Sequence, residues 1–434
     1  SANPYCEFSG EDQPIAITIS TIAIAEGSII TVQLLNEDQQ AVAGASSASA
    51  TVGSNNTAIT DLTIPANTPC GNYYIRASIS GVNPVVQPFM IISGWTAIGD
   101  SLTAAENSAL GLVAGTTNAN LAYTDGSGHA MVYTNTLEGS TNWTLLGDAL
   151  NTNGALVDLS IWNGAALAAY LNAEGVPTVA SFVYDIGPWT TLSGGTVPTG
   201  TASSLSLDVG GIDQLPYLAY KDSGSVYAYV YGPCAWQPIA SITSDVNTSG
   251  AVSINAACTT PFLAYLNSDG VPTIQQYVDS QWLSISDGIC ASASSLVLTT
   301  DAVTPYIAYR DEDCNSAGYG QGKVMNCMYD PTTGVNWTDL GYFSDGSANC
   351  ISIAVDNSNY IPYAAYSDGT RSGKLTVKYY DYINSQWVAL GTEGISADAV
   401  TETRIRVFDG CVCVIYKNCS GNISVIKHSL PSLP

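Results

Sequence analysis

The side chains of this chain that could do chemistry are mostly acids. Asp and Glu number 36 against 11 Lys and Arg, for a net charge of −25 over 434 residues. The densest group is Asp311, Glu312 and Asp313. Three adjacent carboxylates are the ligand type that Ca²⁺ takes, and a solvated acidic loop is the competing reading. Tyr319 follows in NSAGYGQG, an aromatic in a loop where a sugar platform would sit. A paired-carboxylate glycosidase needs only two acids at the right separation, which 36 acids could supply anywhere. Nucleophilic catalysis is poorly served. The two histidines, His129 and His428, read as packing or surface residues, and no G-x-S-x-G elbow precedes a helix. Six Lys and five Arg, scattered, cannot form the basic stripe that nucleic acid or anionic lipid requires. No stretch is apolar and long enough to cross a bilayer.

The elements that would hold these residues repeat. Seven of eight tryptophans, Trp95, Trp143, Trp189, Trp236, Trp282, Trp337 and Trp387, recur at spacings of 46 to 55. Each is followed 27 to 31 residues later by a tyrosine ending an apolar run: Tyr123, Tyr170, Tyr220, Tyr265, Tyr309, Tyr366 and Tyr416. Two residues beyond each stands an Asp or Asn: Asp125, Asn172, Asp222, Asn267, Asp311, Asp368 and Asn418. A period of this length with short alternating runs signals a four-stranded propeller blade. The Asp and Asn positions read first as turn caps, since such side chains bond the backbone of a following turn. A ring of carboxylates attracting Ca²⁺ is the functional alternative.

With Trp marking the outer strand, the last blade has inner (403–409), second (411–416) and third (423–428) strands and no Trp of its own. Trp95, in GWTAIG (94–99), stands unused before the first blade. It is expected to supply the missing outer strand, closing the ring and removing an exposed edge. Sialidases are also propellers, but their three-arginine carboxylate clamp has no evident counterpart among Arg76, Arg310, Arg371, Arg404 and Arg406.

Residues 1–92 lie outside the period and read as short strands at 15–20, 28–35, 57–64, 73–79 and 85–91. The succession EGSIITVQLL, TIPANTPCGNYYIRASI and QPFMI resembles the immunoglobulin-like modules of microbial and fungal cell-wall proteins. That resemblance implies a sandwich without catalytic residues. For the repeat region it stops at the architecture. The expected fold is therefore all-β: an immunoglobulin-like β-sandwich (1–92) and a seven-bladed β-propeller (93–434), its last blade closed by the N-terminal strand.

Eleven cysteines, none in a C-x-x-C zinc pattern, leave at least one unpaired or bonded to another chain. Cys6 and Cys70 are expected to pair, a bridge worth on the order of 4 kcal/mol in the chain-entropy model, and so are Cys234 and Cys258. Six sequons, at Asn55, Asn142, Asn247, Asn336, Asn418 and Asn422, permit N-glycosylation. The cysteines and composition point to a secreted or cell-surface protein with no cofactor beyond the Ca²⁺ option. The functional expectation is a non-catalytic structural subunit of a filament, sheath or surface layer, its partner being copies of itself. A lectin-like or adhesive module binding glycans is the alternative, and a propeller glycoside hydrolase the second. The uncharged alternating run IAITISTIAIA (15–25) could pair with a neighbouring chain's edge. The loop from Asp311 to Lys323, longer than its counterparts, is expected to contact a ligand or a neighbour.

Overall fold

A computed structural model describes residues 5–8, 13–22, 24–36, 38–45, 47–65, 68, 71–103, 110–114, 118–125, 127–136, 142–150, 156–184, 186–194, 202–242, 245–247, 250–256, 260–289, 292–301, 303–330, 334–408 and 410–430. They are strands and turns, with one 3-10 turn at Gly369–Arg371. Two compact units result, Ser1–Thr96 with His428–Pro434, and Ala97–Lys427.

The first unit holds β1 (Tyr5–Phe8), β2 (Gln13–Ser20), β3 (Ile29–Leu35), β4 (Ala48–Thr51), β5 (Thr57–Ile64), β6 (Gly71–Ser78) and β7 (Val85–Ser93). One sheet runs β1-β7-β6-β3-β4, and among the described residues the other is made of β2 and β5. Alternation decides which face is buried. Along β3, Ile30, Val32 and Leu34 are sealed while Ile29 is 63% exposed. They share a core with Ile17 of β2, Leu62 and Ile64 of β5, Ile75 of β6 and Phe89 of β7. The strands β1 and β4 escaped the sequence reading. Each is four residues long, and ASAT has no large apolar side chain to mark a face.

The second unit is a succession of up-and-down antiparallel sheets. Four of them, beginning at Leu110, Val157, Ser204 and Val252, have four strands each in chain order. Next comes a seven-stranded sheet from Ala293 to Ala389. In it the 23-residue strand Gly334–Asp356 is the outer strand of one blade and continues as the inner strand of the next. The last sheet is formed by Val400–Phe408, Cys411–Asn418 and Asn422–Ser429, with Thr96–Ala97 as its outer strand. Ile98 N–H donates to the Val425 carbonyl at 2.8 Å, and Leu102 and Thr103 pair with Ile423 and Asn422. The segment that Trp95 introduces thus closes the final sheet, as the Trp register requires.

Inner strands pack each on the next, and Val400–Phe408 packs on Leu110–Ala114, so the sheets form a closed ring. Short polar side chains on these strands bond the backbone of the neighbouring inner strand. Ser206 Oγ accepts from Ile254 N–H at 3.2 Å, Ser253 Oγ from Leu298 N–H at 3.3 Å and Ser352 Oγ from Ile405 N–H at 3.1 Å. Asp158 accepts from Leu207 N–H at 2.9 Å and Asp208 from Ala256 N–H at 2.7 Å. Glu402 makes the closing link, accepting from Leu110 N–H at 2.9 Å. Between blades lie apolar layers, as where Leu110, Leu112 and Tyr123 of the first meet Cys413, Ile415 and Val425 of the last.

The tryptophans do more than mark the outer strands. Five of the indoles donate to the carbonyl three residues past the preceding tryptophan. The pairs are Trp189 to Leu146 at 2.8 Å, Trp236 to Leu192 at 3.1 Å, Trp282 to Ile239 at 2.8 Å, Trp337 to Ile285 at 2.5 Å and Trp387 to Leu340 at 2.9 Å. The acceptor residue is always Ile or Leu. In GWTAIG and NWTLLG the residue at this position, Ile98 and Leu146, is followed by a left-handed glycine, Gly99 and Gly147. A Cβ on Gly147 would stand 2.9 Å from Trp189, and one on Gly99 would stand 2.5 Å from Trp143. The motif W-T-x-[IL]-G is therefore a socket for the next blade's indole, a signal carried by the residues after each Trp rather than by the Trp spacing.

Candidate functional site

The ring of Asp and Asn residues resolves into turn caps. Asp125 Oδ1 accepts from Ser127 N–H (2.8 Å) and His129 N–H (2.9 Å). Asn172 Oδ1 accepts from Glu174 (3.0 Å) and Val176 (2.9 Å), Asn267 Oδ1 from Asp269 (3.1 Å) and Val271 (2.8 Å), and Asn418 Oδ1 from Ser420 (3.1 Å) and Asn422 (2.9 Å). Asp368 does the same for Thr370 N–H at 2.8 Å. Asp222 differs because its hairpin turns on Ser223 and Gly224, both at positive φ, a tight turn that needs no cap.

The loop after Asp311 is built more heavily. Asp311, 4% exposed, accepts from Asp313 N–H at 3.0 Å, Ser316 Oγ at 2.7 Å and Tyr342 Oη at 2.8 Å. Burial opposes its charge, but those donors outweigh burial and hold the carboxyl below the usual range. Gly318 N–H meets Ser316 Oγ at 3.2 Å and Gly320 N–H meets the Asp311 carbonyl at 2.7 Å. Gly318 has to lack a side chain: a Cβ there would lie 2.1 Å from the Tyr342 ring. Glu312 turns the other way, to Arg310 at 3.2 Å and Ser294 Oγ at 2.7 Å, while Asp313 accepts from Asn315 N–H at 2.9 Å. The three adjacent carboxylates thus serve three separate sets of partners. No group of three or more His, Cys, Asp or Glu is placed to hold a metal among the described residues. Tyr319, at the tip, is 57% exposed. Lys323 stands 5.1 Å from the Tyr342 ring and 2.7 Å from Asp339, which raises its pKa against the effect of burial.

Other sequence candidates are dispersed. His129 lies beside Asp125 at 3.5 Å. His428 is 1% exposed, its Nδ1 2.8 Å from the Ser429 carbonyl and its ring edge-on to Trp95 at 5.2 Å; burial lowers its pKa. Burial pushes the Cys327 and Cys350 thiols up to about 11 and Cys413 up to about 12, which removes the thiolate that a nucleophile needs. Cys234 carries a free, exposed thiol, as do Cys314 and Cys419. Its expected partner Cys258, and Cys70, lie outside the described residues, as does the side chain of Cys6. Of the sequon asparagines, Asn55, Asn142, Asn336 and Asn422 are exposed, while Asn247 and Asn418 are half-buried.

No protein-family model and no curated protein matches the sequence. Solved structures do match. The β-propeller domain of Cps50 (Swd1) from Myceliophteria thermophila is 10% identical, with 76% of this chain and 98% of that one covered at a TM-score of 0.51. A mutant of the Aleuria aurantia lectin, solved with Fucα1-6GlcNAc, is 14% identical over 68% of this chain and 99% of that one, at a TM-score of 0.45. AofleA from Arthrobotrys oligospora is 11% identical over 69% and 92%, at 0.47. No helix among the described residues is long and apolar enough to cross a membrane. Identities this low speak to the fold alone, and the fold that the likeness to Cps50 identifies is a β-propeller.

Proposed function

We propose that this chain is a non-catalytic, secreted or cell-surface protein that works by binding, in the manner of a lectin or adhesin. We read residues 1–92 as an immunoglobulin-like sandwich and 93–434 as a propeller of seven blades. The single observation that carries the binding reading is the Asp311–Lys323 loop. Its acids and hydroxyls are engaged in holding its own shape, and the result is a braced platform that presents Tyr319 to solvent. A rigid exposed aromatic stacks on the apolar face of a sugar at little entropic cost. Asp311, Glu312 and Asp313 then act as supports of the contact loop, with Tyr319 as the contact. The test is a glycan array with the intact chain and with Y319A. Binding lost in the variant supports the reading. Binding unchanged by Y319A, or polysaccharide hydrolysis abolished by replacing one pair of carboxylates, overturns it.

A second reading, subunit of an extracellular filament, sheath or layer, is favoured by surfaces left uncovered. Val183, Ile186, Ile212, Val303, Tyr382 and Ile383 are all exposed. All lie in turns that join inner to second or third to outer strands, which places them on one face of the ring. The first unit carries a further uncovered apolar surface.

A further inference from the structure

The tyrosine that recurs in each second strand gives the inner strands a common register. Tyr220 faces Leu205, Tyr265 faces Val252 and Tyr416 faces Thr403. By that register Glu402, Arg404 and Arg406 of the last sheet stand where the sheet beginning at Ser204 has Ser204, Ser206 and Asp208. Those three offer oxygens to the next inner strand, at the N–H groups of Val252, Ile254 and Ala256. Glu402 does the same for Leu110. Arginine has only donors, so by the same register Arg404 brings Leu112 N–H no acceptor. Side chains at these positions line the central channel that a ring of blades encloses. Asp158, Asp208, Arg404 and Arg406 accordingly keep partial access to solvent in the middle of the unit.

The two guanidiniums are held in place by their own strand. Arg404 Nη1 donates to the Thr403 carbonyl and Arg406 Nη1 to the Ile405 carbonyl, both at 3.0 Å. Glu402, 3.3 Å away, neutralises Arg404. Arg406 makes no ion pair among the described residues. Its field still reaches Asp158 and Asp208, where it opposes the burial that raises both carboxyls. Those aspartates lie on inner strands two and three places round the ring from that of Arg406. The pull therefore crosses the channel. An unpaired cation stands on one wall and two carboxylates on the other. Asp158 is fixed there by Leu159 and Leu207 N–H, one on each oxygen at 2.9 Å, and Asp208 by Ala256 N–H. We propose that the channel binds a free amino acid or similar small zwitterion, its carboxylate on Arg406 and its ammonium on Asp158 and Asp208. The charge pattern selects this class. A simple anion would meet two carboxylates across the channel, and a simple cation would meet Arg406. A molecule with opposite charges at its two ends satisfies both walls.

This site is separate from Tyr319 and goes beyond the reading given to that loop. The test is calorimetric titration of the intact chain with glycine, β-alanine and 4-aminobutyrate, which vary the separation of the two charges and keep the end groups. Acetate and methylammonium supply each end alone. Saturable binding of at least one of the three zwitterions, about tenfold or more tighter than acetate or methylammonium, is the expected result. R406Q and D208N should each weaken it about tenfold or more. R371Q, on an exposed turn away from the inner strands, should leave it unchanged. Circular dichroism checks that each variant is folded. No binding of any zwitterion overturns the proposal. So does acetate or methylammonium binding as tightly as the best zwitterion, or an affinity that folded R406Q and D208N leave unmoved. Where a variant fails to fold, the comparison of the small molecules on the unaltered chain decides.

Discussion

A tryptophan here has two jobs, and they can be separated by substitution. The ring of Trp236, 3% exposed, fills the space between blades, and its N–H satisfies the Leu192 carbonyl. W236F keeps most of the first and loses the second, so it should cost about 1 kcal/mol. W236A loses both and should cost about 3–5 kcal/mol. Urea unfolding measures the difference, and a W236F that unfolds at the same urea concentration as the parent would show that the indole bond counts for nothing. Asp208 allows a test of sign. Hemmed between inner strands, its carboxyl is pushed up by burial to about 6, against the N–H groups of Ala256 and Val209. An acid whose folded pKa exceeds its unfolded one contributes stability that is full below about pH 4 and is lost as pH rises through about 6. D208N should therefore be the more stable form at pH 7.5, and its advantage should shrink as pH falls to 4. Melting curves across that range decide it, and an advantage growing toward low pH would contradict the assignment.

At the scale of the element, a blade is a packing unit whose special positions are few. Gly147 sits at φ +69°, and a Cβ there would meet Phe182 at 2.7 Å and Trp189 at 2.9 Å. G147A should destabilise by about 1–3 kcal/mol through both strain and overpacking. N267A, which strips the acceptor from two turn N–H groups, should cost about 1–2 kcal/mol. Thermal denaturation of the two variants gives the comparison, and a neutral G147A would refute the socket. The period of the blades was legible because packing repeats: the same tyrosines, Tyr220, Tyr309 and Tyr366, are sealed in each second strand. The turn-capping role of Asn267 and its relatives was legible for the same reason, since it needs only a side chain and the next few amides. Contacts across blades were hidden. Nothing in the spacing of Trp282 says that its indole reaches Ile239, and the fusion of two blades through Gly334–Asp356 follows a local backbone path with no composition signature. Short β4 was invisible because Ala and Ser mark no face. The loop at Asp311 stood out by length, yet its bracing by Tyr342, 31 residues on, could come only from the fold.

For the propeller unit as a whole, closure is the decisive feature, because a ring has no weak end. The strand Asn422–Ser429 would be an open edge without the segment ahead of the first blade. That segment adds more than a partner strand. Ile98, 5% exposed, packs among Leu110, Leu112, Cys413, Ile415 and Val425, so it seals the first blade against the last. I98A should open a cavity at the seam and cost about 2–5 kcal/mol. The location of the loss distinguishes a closed ring from an open array. In a ring, loosening the seam exposes both of its flanks together. Amides of 110–114 and of 422–429 should then lose hydrogen-exchange protection in step, while those of 252–284 on the far side keep theirs. Removing residues 94–99 outright should deepen the same pattern. Faster exchange confined to 422–429, with 110–114 unaffected, would mean that the last blade frays as a free end and that the seam carries no load.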